Sequence, residues 1–232
     1  MPKRLQGKHL MSEETDTPQG NIDKKSVDKK DTDKETIYHD QRSVALRTPQ
    51  SIYFVKEHDK TSMLGLLLND YTQKQVVIVV KSKKKADALS AFLTSKAFNA
   101  AAVHGNHRQA QQQEAASKYN AGTLNVIITT DMILKTLALE NIKLVVSYDL
   151  PDDVQEYYNR LAFMKEKGVA MALVSPEDEP FLDDIEYNMK KEIEEKEVEG
   201  FVSTKKPKQT AKKDRTKKPR HRKSKVKKEE DA

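Results

Sequence analysis

Four short segments of this 232-residue chain hold the side chains that could do chemistry: KSKKK at 81–85, HGNHRQ at 104–109, TTDMILK at 129–135 and DLPDD at 149–153. A single arginine, Arg160, follows the last of them in DDVQEYYNRLAFMK. Lysines and an arginine suit contact with phosphate. The triple Lys83–Lys85 opens a helix, where positive charge opposes the helix dipole, so it reads either as a solvated first turn or as a phosphate contact. A phosphate-cradling P-loop needs two glycines five positions apart, then Lys and Ser/Thr. The seven glycines lie at 7, 20, 65, 105, 122, 168 and 200, which excludes both a P-loop and a dinucleotide fingerprint. His104 and His107 are three residues apart with no carboxylate cluster beside them, and two ligands do not make a metal site. No G-x-S-x-G elbow supports a serine nucleophile. Cysteine is absent, so thiolate catalysis, thiolate zinc and disulfides are out. Neither a metal nor a cofactor is expected.

The elements that must position these segments are legible from periodicity. VVIVV (76–80), LNVIITT (124–130), KLVVSYD (143–149) and GVAMALVS (168–175) are short, continuously apolar and β-branched, as strands covered on both faces are. SIYFVK (51–56) and NAAAVH (99–104) are weaker strands. Between them, KTSMLGLLLNDY (60–71), SKKKADALSAFLTSKAF (82–98, with Ser82 as cap), HRQAQQQEAASKYNAG (107–122, stopped by Gly122) and DDVQEYYNRLAFMK show helical spacing. MILKTLAL is a short turn or helix. Alternating strands and helices at this spacing predict βαβ units, hence an α/β domain with a parallel sheet and helices on both faces. In such sheets ligands bind at the carboxyl ends of the strands, where all four chemistry-bearing segments fall.

Charge divides the rest. Residues 203–232 hold 14 Lys/Arg against 4 acids, whereas 49–202 hold 18 against 23, so the net charge of +6 belongs to the tail. The tail, with Lys212, Lys213, Arg215, Lys217, Lys218, Arg220, Arg222 and Lys223 at its centre, has no apolar periodicity and is expected to be disordered and to bind a polyanion. The first 48 residues alternate Lys, Asp and Thr with little to bury and are expected to be a disordered leader. The expected organisation is leader 1–48, α/β domain 49–180, an acidic helical extension 181–200 and a basic tail 201–232. No apolar run approaches the roughly 20 residues a membrane span requires, and no secretory signal opens the chain. A cytoplasmic location is expected, nuclear or nucleolar if the source is eukaryotic.

The order VVIVVKSKKKADALSAFL, HG with Gln109, NVIITTD, SYDLP with YYNR, then GVAMALVS resembles the second, C-terminal RecA-like domain of DEAD-box RNA helicases, and SIYFVKEHDKTSMLGLLL resembles the segment leading into it. The resemblance covers about 48–180. It implies a RecA-like fold and motif positions at His104, Gly105, Gln109, Thr130, Asp131, Tyr157 and Arg160. It also exposes departures. Gln112, Lys135 and Phe163 stand where the family has arginine, as does Glu166; Thr136 replaces glycine, Asn159 replaces histidine, and Ala138 replaces the aspartate that contacts the nucleotide ribose.

By this resemblance Arg160 is the motif's structural arginine, while Phe163 and Glu166 hold the positions of the two arginines that reach ATP phosphates. A finger arginine stabilises the charge that develops on the transferred phosphate, and neither residue can. The family's P-loop and DEAD acid lie in a first RecA-like domain not found in this sequence, so the chain is not expected to hydrolyse ATP alone. RNA-facing positions implied by the family are Lys81, Ser82, Gly105, Thr130 and Lys135. The leading expectation is a non-catalytic accessory factor that binds RNA, mainly through its tail, in association with RNA or ribosomes. The alternatives are half of an ATP-dependent helicase completed by a partner carrying the N-terminal RecA-like domain, and a protein-interaction module.

Overall fold

The computed structural model describes residues 42–164 and 168–204. Strands β1 (Gln50–Phe54), β2 (Val76–Val79), β3 (Ala100–Val103), β4 (Val126–Thr129), β5 (Leu144–Ser147), β6 (Val169–Val174) and β7 (Glu194–Glu195) form one sheet. Its order is β3-β4-β2-β5-β6-β1-β7, and every neighbouring pair runs parallel. The helices are α1 (42–47), α2 (Lys60–Leu67), α3 (Lys83–Ser95), α4 (Gln109–Asn120), α5 (Asp131–Leu134), α6 (Val154–Ala162) and α7 (Glu179–Met189). A 3-10 turn, Glu57–Asp59, precedes α2.

The β-branched runs form strands because both faces are covered. Val77, Val79, Ile127, Val145 and Ala172 join one core with residues of α4, α6 and α7. Their sequence neighbours Val76, Ile78, Ile128 and Val146 join the opposite core with α2 and α3. Burying each such side chain stabilises by roughly 1.5–3 kcal/mol, so the period-2 split gives the sheet two cores rather than one. Local signals fix the helix ends. Ser82 Oγ accepts the Lys85 amide at 3.2 Å and starts α3, and Asp153 accepts the Gln155 amide at 3.0 Å and starts α6. Helix α3 ends in a Schellman turn, with Phe98 N–H to Leu93 O and Ala97 N–H to Thr94 O both at 3.0 Å, and this forces Ala97 to a φ of 65°. Gly122 follows α4 at φ 74°, the conformation a stop at glycine predicts.

Two expected boundaries are corrected. The leader does not reach residue 48 as irregular chain: α1 occupies 42–47, Ala45 is fully buried and Thr48 nearly so. Residues 1–41 lie outside the described residues. The acidic extension is helical only to Met189. Lys190 then takes a left-handed φ of 55°, the chain turns, and β7 adds to the open edge of β1 with Ser51 opposite Glu194. Beyond it Val198 and Phe201 pack on the second core. The fold therefore runs to Thr204, not to 180, because apolar residues spaced among the acids find the uncovered edge of the sheet. From residue 205 onward, including the tail cations from Lys212 to Lys223, the expected RNA contacts lie outside the described residues.

Candidate nucleic-acid interface

Because all strands are parallel, their carboxyl ends share one rim, and the predicted segments meet there. After β2, the Lys81 amide donates to Asp149 Oδ2 at 2.9 Å, and its ammonium sits 2.5 Å from Asp152 Oδ1 and 4.4 Å above the Phe181 ring. Lys83 reaches Asn106 Oδ1 at 2.8 Å, tying the start of α3 to the loop after β3. Lys85 bridges Asp149 Oδ1 (2.7 Å) and Glu57 Oε1 (2.8 Å). Partial burial works against the Lys85 charge, but these two bonds overcome it and hold its pKa above the ordinary lysine value. Beneath it Lys60, with no exposed surface, donates to Asp178 Oδ2 at 2.6 Å and lies 3.1 Å from Glu57 Oε2 and 3.9 Å from Asp149 Oδ1. The Tyr148 ring faces both ammonium groups, 5.7 Å from Lys60 and 5.8 Å from Lys85. Burial pushes the Asp178 and Glu57 carboxyls up; their lysine partners more than offset it and leave both below the usual range.

The arginine that raised the question of phosphate binding points inward. Arg160 is 1% exposed and grips Asp131 with two parallel bonds, Nε to Oδ1 at 2.7 Å and Nη2 to Oδ2 at 2.8 Å. Its Nη1 donates to Ser147 Oγ at 2.9 Å and to the Asp149 carbonyl at 2.8 Å. One side chain thus joins β5, α5 and α6, as a structural arginine should. Tyr157, fully enclosed, donates to Gln50 Oε1 at 2.7 Å, and burial pushes its phenol up.

The remaining motif positions are also occupied in ways the sequence does not reveal. His104 Nδ1 accepts the Asn106 amide at 3.4 Å, so Nε2 carries the proton and donates to Asp87 at 2.8 Å. His107 stacks on it at 4.2 Å and accepts the His104 amide through Nδ1. Both rings hold the loop. Gln112 donates to the His107 carbonyl at 2.9 Å and does the same. A Cβ at Gly105 would meet Lys83 at 3.6 Å, an ordinary contact, so crowding does not require glycine there. Thr130 is half-buried, and its carbonyl accepts the Ile133 and Leu134 amides. Lys135 is 2.5 Å from Glu156 Oε1. Ser82, Gly105 and Lys135 are exposed on the rim.

The groove between α4 and the segment after α5, about 440 Å³, is lined by Gln109, Gln112, Asn120, Thr136 and Ala138. It offers side-chain amides, the Ser117 and Thr136 hydroxyls and the Ala138 methyl group, and no charged side chain lines it. Phe163 is half-buried against the first core. Glu166 lies outside the described residues. Sequence reasoning missed Glu57 and Asp149 as the counter-ions of the rim lysines, and Lys60 as the buried cation between them. The Glu57–Lys60 spacing was the available signal, but an i,i+3 pair at a helix start ordinarily reads as surface.

Residues 59–162 match the helicase conserved C-terminal domain. An ATP-dependent RNA helicase eIF4A of Mycosarcoma maydis is 34% identical over 143 residues, which are 60% of this chain and 35% of that protein. The chain spans 35% to 39% of the length of the curated relatives it matches. Among solved structures, the E. coli DEAD-box protein SrmB bound to regulator of ribonuclease activity A superposes with a TM-score of 0.62 at 20% identity, covering 68% of this chain and 98% of that one. S. cerevisiae Dbp5 bound to RNA and ADP BeF3 gives 0.60 at 24% identity, covering 66% and 42%. Residues 59–162 are thus similar to a helicase conserved C-terminal domain, and the folded part of the chain has the RecA-like fold seen in the DEAD-box protein structures it superposes on.

Proposed function

We propose that this chain is a helicase C-terminal domain that binds single-stranded RNA as an accessory factor, mainly through residues 205–232, without supplying an ATP site from its own side chains. The observation that carries the reading is how the rim lysines are spent. Lys60, Lys81, Lys85 and Lys135 each meet a carboxylate within 2.8 Å. Residues 205–232, by contrast, hold 14 Lys/Arg against 4 acids. Phosphate contacts of this kind position a strand and release counterions without reading bases. Dbp5 holds RNA in its solved structure and the eIF4A relative is an RNA helicase, and both support RNA as the polyanion. Ribosome association belongs to the same reading. Ala138 and Phe163, with their apolar side chains, support an absence of ATP turnover.

The test compares the full chain with residues 1–204 for binding to an oligouridylate, and both for RNA-stimulated ATP hydrolysis. The cut belongs after Thr204, because a cut at 200 would also remove Phe201 from the second core. The reading expects most of the affinity to vanish with 205–232 and no ATP hydrolysis in either protein. Undiminished binding by 1–204 places the interface on the rim instead. Turnover of ATP contradicts the non-catalytic reading outright.

A further inference from the structure

The segment after α7 has a feature that neither the apolar core nor the rim requires. Having paired with β1 and laid Phe201 on the second core, the chain ends its described course on Asp59. Asp59, 2% exposed, accepts the Thr204 hydroxyl at 2.5 Å, the Thr204 amide at 2.9 Å and the Ser203 hydroxyl at 3.2 Å. The Thr204 carbonyl in turn accepts from Lys56 at 3.3 Å and lies 3.4 Å from His58 Nε2. Five contacts thus fasten two exposed residues. A solvated chain end has no need of so many, since each orders backbone that would otherwise stay free.

The position of this latch gives it meaning. Strand β7 runs parallel to β1, so the chain leaves the sheet at the carboxyl rim rather than the opposite one. Asp59 immediately precedes Lys60 and lies two residues after Glu57, which bridges Lys60 to Lys85 at the start of α3. Thr204, the last residue before the basic run begins at Lys205, is therefore held at the edge of the same charged cluster that carries Lys81, Ser82 and Lys83.

We infer that the Asp59 carboxylate, with Ser203 and Thr204, is a positioning latch that fixes the origin of the basic tail at the carboxyl rim, so that one RNA strand is bound by tail and rim together. This deepens the proposed RNA binding and rests on it for its purpose, but the latch has a readout of its own. With the origin held, the second contact becomes intramolecular, and its contribution depends on effective concentration rather than on any added bond. An RNA too short to span both surfaces gains nothing from the latch.

The absence of cysteine allows two labels to be placed cleanly. Lys84→Cys, exposed on α3, and Lys206→Cys carry nitroxides for a distance measurement in the full chain. Two residues span at most about 7 Å, so a label at 206 stays near a fixed Thr204. The latch predicts a narrow distance distribution that becomes broad and longer in Asp59→Asn and, approached from the other side, in Thr204→Val. Unchanged distributions in both variants overturn the latch, whatever the RNA does. In the same variants the chain is still held at Phe201, so the tether lengthens by three residues and affinity for an 18-nucleotide oligouridylate should fall about twofold while that for a 6-nucleotide one is unchanged. Equal losses on both lengths, or no loss on the longer, overturn the positioning role. If instead the full chain binds RNA no better than 1–204, the tail reading fails while the distance result still judges the latch.

Discussion

Lys60→Met removes a fully buried ammonium from between three carboxylates, and its consequence can be worked from the distances. Lys60 lies 2.6 Å from Asp178, 3.1 Å from Glu57 and 3.9 Å from Asp149. Glu57 and Asp149 keep Lys85 at 2.8 and 2.7 Å. Asp178 keeps only the Ser175 hydroxyl and amide, at 2.7 and 3.2 Å. Breaking a buried pair by deleting one partner costs about 3–5 kcal/mol; with the Ser175 bonds and the methionine volume retained, about 3 kcal/mol is expected. At a urea m-value near 2 kcal/mol/M that is a midpoint shift of about 1.5 M at pH 7. The pH dependence supplies the sharper check. In the native protein the Asp178 pKa is depressed, so its contribution is present above the unfolded value of about 4 and is lost as pH falls. Without Lys60, burial dominates, the native pKa is raised, and stability is instead lost as pH rises through that raised value. Urea melts followed by circular dichroism at pH 5 and 8 should show the deficit of the variant shrinking at pH 5. A loss under about 1 kcal/mol, equal at both pH values, refutes the buried network as a stability element.

Other expectations follow from single contacts. Arg160→Lys cannot reproduce the paired bonds to Asp131 together with those to Ser147 and Asp149, and should destabilise by about 2–4 kcal/mol in the same melts. Ala97→Gly relieves a left-handed alanine at φ 65° and should stabilise by about 0.5–1 kcal/mol, read as a higher urea midpoint. Gly168→Ala places a Cβ 2.5 Å from Met164 Sδ and 3.1 Å from the Lys143 carbonyl; the methionine can move but the backbone cannot, and a loss of about 1–2 kcal/mol is expected. Glu57, Asp59 and Asp178 all have lowered carboxyl pKa values, so wild-type stability should decline from about pH 5 downward. A melt midpoint flat from pH 6 to pH 3 would count against these pairings.

The sheet was readable in the sequence because VVIVV, VIIT and LVVS are too short and too β-branched to be anything but strands covered on both faces. Ser82 and Gly122 announced helix ends through capping chemistry that acts within a few residues. What failed was long-range. The 176–200 run, with 11 acids, reads as polar helix, yet Ile193, Val198 and Phe201 at irregular spacing find apolar surface that only the finished sheet provides. The candidate site shows the same division. Motif position singled out Arg160, and the structure shows its side chain buried on Asp131, Ser147 and the Asp149 carbonyl. The engagement of Lys81 and Lys135 by Asp152 and Glu156 was not legible, since partners 71 and 21 residues away leave no local pattern.

The central claim, that RNA is held by the basic run from Lys205 onward, meets its most direct test in a salt titration of oligouridylate affinity for the full chain beside residues 1–204. A log–log slope of about −3 to −5 for the full chain, the value for some five to seven single-strand phosphates, with nearly all affinity lost in 1–204, is the predicted result. A shallow slope, or equal affinity for the two proteins, would contradict it and return the search for RNA contacts to Lys81, Thr130 and Lys135.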